Sequence, residues 1–202
     1  MTVADAPLTL LLLATMGVLG ALQLTVLPDI NQQLLLRPYS AARDIRRWTL
    51  LTSGFVHADL MHLLLNGMSL WFFGPLLEQT IGTFLFGLLY LTGLVLSQWR
   101  SYTKHRDDPG YATLGASGAI SAVVFACIVH HPQQSLFILP IPFPIPAPLF
   151  AVGYLAYSWW SARRARDHIN HDAHLDGAVT GLLFVALTTP RAYLQALDWL
   201  LR

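Results

Sequence analysis

The chain has 202 residues, 54% of them hydrophobic and 11% charged, with a formal charge of +1. Soluble domains carry about 25% charged residues, so this composition excludes an ordinary water-soluble globule. The near-balance of charge, with no long basic run, excludes a nucleic-acid partner, and the partners to expect are the lipid bilayer and proteins embedded in it.

Apolar stretches alternate with charge-bearing connectors, as they must where each helix satisfies its own backbone inside hydrocarbon. Six spans are predicted. The first, about 8–27, runs roughly 20 residues without a charge and has no basic leader, so it reads as a span rather than a signal peptide. A connector from Pro28 to Val56 carries Arg37, Arg43, Arg46, Arg47 and Trp48 and is long enough to hold structure of its own. Spans at about 58–77 and 81–99 are joined by the short Glu78-Gln79-Thr80 link and should be antiparallel neighbours. The polar stretch from Arg100 to Thr113 reads as an exposed loop.

The fourth span is about 115–130, and its Cys127, the single cysteine, is a packing residue that permits no internal disulfide. Prolines then stand at every second position from 140 to 148, a pattern no helix interior tolerates, which predicts an extended apolar segment at the membrane interface. The fifth span, about 148–161, opens on Pro148 and is closed by Arg163, Arg164 and Arg166. The sixth covers about 172–188, and the remaining residues suit an amphipathic helix on the membrane surface. The expected fold is an all-α polytopic membrane protein, a six-helix bundle forming one domain over 1–202.

Polar side chains at membrane depth are costly and mark function first. His62, Asn66 and Ser69 share one face of the second span. In the fourth, Ser117 and Ser121 share a face, while Gly115 and Gly118 let another backbone come close. In the sixth, His174, Gly177 and Gly181 fall within about 60° of one another by helical phase. A serine hydroxyl needs a base, and a neutral imidazole suits that task; Ser117 and His174 supply such a pair. His62, Asn66 and a backbone N–H of the first turn of the fourth span have the groups to meet an oxyanion. Each motif alone has a plainer reading as helix packing or interhelical hydrogen bonding. His168, His171 and His174, with Asp167, Asp172 and Asp176 among them, lack a partner helix of ligands, so no metal is expected, and His168 and His171 read as interfacial loop residues.

Jointly, these positions resemble the rhomboid family from Trp48 to about Thr188. The resemblance rests on the segment from Trp48 to His57 with His62 and Asn66, on Gly74, Glu78, Gly82 and Tyr90, on the segment from Gly115 to Ile120, and on Ala173-His174-Leu175-Asp176-Gly177 with Gly181. It implies a cofactor-free serine protease with Ser117 as nucleophile and His174 as base. It further implies an oxyanion hole of His62, Asn66 and the Ser117 amide. The implied substrate is a single-span membrane protein with a locally unstable helix, admitted past the fifth span and the first connector. Three positions depart from the family pattern. Thr49 stands where arginine is usual, Ser121 where an aromatic often packs on the histidine, and Asp176 where a small residue is commoner.

The resemblance implies a bacterial inner membrane with the site opening to the extracytoplasmic side. Ten of the twelve basic residues nevertheless lie in the connectors after the first, third and fifth spans, which the positive-inside rule would make cytoplasmic. A non-proteolytic binder of membrane-protein clients is the alternative function. A transporter is a third, disfavoured by the lack of paired intramembrane carboxylates and broken-helix repeats.

Overall fold

The computed structural model describes residues 5–137, 142–164 and 170–201. Apolar runs that cannot hydrogen-bond to lipid close their own backbone bonds, and the described residues are accordingly all-α apart from one two-residue ladder and one isolated bridge. In order, the helices are α1 (Pro7–Thr25), α2 (Ile30–Leu34), α3 (Pro38–Ala41), α4 (Thr49–Thr52), α5 (Leu60–Ile81), α6 (Thr83–Ser97), α7 (Trp99–His105), α8 (Ser117–His130), α9 (Ala147–Arg164), α10 (His171–Thr188) and α11 (Arg191–Leu200). Strands β1 (Ser135–Leu136) and β2 (Ile145–Pro146) pair antiparallel.

At the centre stands α8, buried at every residue from Gly118 to Val129. It is apolar on all sides, which only a helix enclosed by others can be. Leu70 and Leu77 of α5, Phe86, Leu89, Tyr90 and Leu94 of α6, and Ala178 and Val185 of α10 complete the core around it. Large apolar residues such as Leu11, Val18, Phe72, Phe84, Leu183 and Leu187 face outward instead, as lipid contact allows.

Helices occupy all six predicted stretches. Two of them, Pro7–Thr25 and Leu60–Ile81, are individually long and apolar enough to cross a membrane. The expected Glu78–Thr80 link is not a link. It forms the last turns of α5, and the break comes at Gly82, whose φ of +83° favours a residue without a Cβ. The first connector holds α2 to α4 and a 3-10 turn at Ser53–Phe55. Leu36 of that connector bridges Thr113, with both N–H···O bonds at 2.9 Å. The stretch from Arg100 was expected as a loop; its first residues are helical instead, in α7, because Arg100 and Lys104 reach Asp172 at 3.3 and 3.4 Å. The proline-rich segment forms the short ladder at its ends, while its residues 138–141 lie outside the described residues.

The buried Glu78 carboxylate accepts from the N–H groups of Leu8 and Thr9 (3.0 and 2.8 Å) and from the hydroxyls of Thr9 and Thr83 (2.7 and 2.8 Å). It therefore caps the open N-terminus of α1 while tying the end of α5 to the start of α6. Replacing Glu78 by alanine strands those donors and is expected to cost about 2–4 kcal/mol. The readout is a lowered thermal midpoint in detergent, and an unchanged midpoint would count against this role.

Candidate active site

The turn before α8 is fixed from the connector. Gln98 accepts from the Ser53 hydroxyl (3.2 Å) and donates to the Leu50 carbonyl (3.2 Å). The Ser53 carbonyl in turn accepts from Gly115 N–H at 2.8 Å. Gly115 has φ +115°, and a Cβ there would lie 2.6 Å from Cε1 of His62. Backbone conformation and the neighbouring imidazole thus both require glycine. Ser117 follows as the first residue of α8, so its N–H has no acceptor within the helix.

The partner helix α10 is capped by Asn170, whose side chain accepts from Ala173 N–H at 3.0 Å. The Asn170 amide donates to the Ser101 hydroxyl (2.8 Å) and to the Thr113 hydroxyl (3.2 Å), which joins the cap to α7 and to the loop before α8. Behind that cap, His105 stacks on Tyr111 with centroids 3.6 Å apart, and burial holds its imidazole below the ordinary histidine range. α10 then lies directly on α8. A Cβ on Gly177 would overlap the Gly118 carbonyl, one on Gly181 the Ala122 carbonyl, and one on Gly118 the Ser97 side chain. This close approach leaves His174 Nε2 2.8 Å from Ser117 Oγ, both side chains half-buried.

Of the expected polar face of α5, His62 lies against the turn before α8 at Gly115. Asn66 is buried one turn on, donating to the His62 carbonyl at 3.1 Å. Ser69 is not part of the cluster, because its hydroxyl bonds back to the Leu65 carbonyl (2.8 Å). His57, prominent only through the resemblance, is buried with its ring edge-on to His62 at 5.0 Å. Its carbonyl accepts from the Asn31 amide at 2.6 Å.

The three departures each have a structural account. Thr49 is buried with its hydroxyl on the Arg46 carbonyl (2.7 Å), while Arg46 and Arg47 are exposed and do not fill its place. Asp176 binds Arg100 at 2.7 Å. Ser121 Oγ lies 3.2 Å from the hydroxyl of Tyr154, an α9 residue that sequence reading passed over. His171, expected in a loop, is instead the first residue of α10 and is buried, edge-on to both His174 and Tyr157. The aromatic neighbours make burial of its ring favourable. His168 lies outside the described residues. Among the described residues, no group of three or more His, Cys, Asp or Glu could hold a metal.

Residues 45–191 match the Rhomboid domain model. The chain is 28% identical over 172 residues to RHOMBOID-like protein 12, mitochondrial, of Arabidopsis thaliana, covering 76% of this chain and 51% of that one. It is 30% identical over 145 residues to Rhomboid protein 1, mitochondrial, of Saccharomyces cerevisiae, covering 67% and 40%. Presenilin-associated rhomboid-like protein, mitochondrial, of Homo sapiens is 31% identical over 138 residues, covering 67% and 36%. The matched part thus spans about half or less of each relative. All three are named as mitochondrial, which overturns the expectation of a bacterial inner membrane. With its domain matched over most of its length, and with glycine-mediated packing bringing a serine and a histidine together, the chain belongs to the rhomboid family.

Proposed function

We propose that this protein is an intramembrane serine endopeptidase that cuts transmembrane segments of single-span membrane proteins, in a bundle of six spans. The observation that carries the reading is the 2.8 Å approach of His174 Nε2 to Ser117 Oγ, a distance suited to proton transfer between base and nucleophile. Ser117 Oγ attacks the scissile carbonyl carbon as its proton passes to Nε2. The carbonyl oxygen becomes an oxyanion, met by the free Ser117 N–H and by His62. Asn66 joins them, since its amide nitrogen carries two protons and the His62 carbonyl takes only one. Collapse of the intermediate breaks the C–N bond, and the imidazolium returns its proton to the leaving amine. Water, deprotonated by the same imidazole, then attacks the acyl carbon, and the C–Oγ bond breaks as the imidazolium returns its proton to Ser117 Oγ, releasing the acid.

The substrate must present an extended backbone, because a regular helix occupies its own carbonyls. Locally unstable spans are therefore favoured. The names of the relatives support a mitochondrial membrane as the setting.

The test is a fluorophosphonate probe applied to the purified protein in liposomes, beside a panel of single-span substrates. Wild type should label and cleave, and Ser117→Ala should do neither. Labelling that persists in Ser117→Ala would sink the assignment of the nucleophile. A wild type that holds these spans without cutting them would favour client binding.

A further inference from the structure

The Tyr154 ring lies nearly parallel to that of His174, with centroids 6.5 Å apart and 23° between the planes. Its hydroxyl meets Ser121 at 3.2 Å, one helical turn beyond the nucleophile on α8, and has Ser158 of α9 as a second partner. Phe125 of α8 and Phe150 of α9 flank the ring, at 5.5 and 5.4 Å between centroids. Groups from two helices thus fix this ring beside the histidine.

We propose that Tyr154 is a positioning residue for His174, the aromatic support that keeps the imidazole turned toward Ser117. The inference rests on the protease reading above. During the reaction His174 must gain and lose a proton without leaving the 2.8 Å contact. An offset aromatic partner within about 4.5–7 Å restrains rotation of such a ring. Ser121 has no ring to offer, but its small side chain leaves room for a tyrosine arriving from α9 and anchors that tyrosine by its hydroxyl. The support therefore comes from a neighbouring helix rather than from the helix of the nucleophile.

Turnover by the reconstituted enzyme tests this, with endpoint fluorophosphonate labelling counting the competent sites. Tyr154→Leu should lower kcat per labelled site by about 10- to 100-fold and slow labelling, with KM within about twofold. Tyr154→Phe keeps the ring and should stay within about threefold of wild type. Ser121→Ala should lose less than Tyr154→Leu, and the two together should lose no more than Tyr154→Leu alone. A Leu variant as fast per labelled site as the Phe variant overturns the proposal, as does a loss that only tracks the number of labelled sites. Absence of Ser117-dependent labelling in wild type is a separate result, which removes the protease reading and this inference with it.

Discussion

Replacing His174 by alanine should leave the protein folded and lower turnover by about 10³-fold or more. The serine hydroxyl then has no base at 2.8 Å, and at neutral pH it attacks almost entirely as the neutral alcohol. A factor of about 10³ corresponds to roughly 4 kcal/mol of lost transition-state stabilisation. The oxyanion donors are untouched, so a residual rate above that in water should survive. On the protease reading nucleophile and base act as one unit, so the Ser117→Ala, His174→Ala double variant should be no slower than either single variant. Rates of substrate cleavage in liposomes, with thermal midpoints measured in parallel, decide the matter. Turnover within about tenfold of wild type would contradict the assignment of His174.

The second large effect belongs to a residue with no chemistry. Gly177→Val should lower cleavage by about 100-fold or more and lower the thermal midpoint, because its added carbons fall on the Gly118 carbonyl, a backbone atom that cannot swing aside. The helices must separate to admit them. Overpacking of this kind costs about 1–3 kcal/mol or more, and a shift of roughly 1 Å at the dyad is worth about 100-fold in rate. Gly153→Ala is the control, since nothing lies within 4 Å of a Cβ at that position. If Gly177→Val kept both its midpoint and its activity, the close packing of α8 on α10 would not be what holds Ser117 and His174 together.

Local features were legible in the sequence in proportion to how far they depended on one helix. Helical phase alone set His174 beside Gly177 and Gly181, and small residues at that spacing announce close packing. The face shared by His62, Asn66 and Ser69 was equally readable, yet that His62 is the member lying against Gly115 is a matter of how another element packs on α5. Tyr154 was not readable. The only trace was an expected aromatic missing at Ser121, and nothing in a linear chain says that a residue 33 positions later supplies it. Glu78 was misread for a related reason. Its sequence neighbours Gln79 and Thr80 look like a polar link, whereas its partners Leu8 and Thr9 lie about 70 residues away. His171 followed the same pattern: polar in sequence, but drawn inside by Tyr157 and His174.

The shortness of α8 sets a depth for Ser117. Its 14 residues rise about 21 Å, against a hydrocarbon layer about 30 Å thick. With its His130 end level with one face of the bilayer, the Ser117 end stops roughly 9 Å short of the other. Ser117 then lies at the floor of a well, and on the protease reading both the water that releases the acyl group and the peptide to be cut must descend to it. Under the proposed activity, the length of one buried helix then sets the depth at which a span is met.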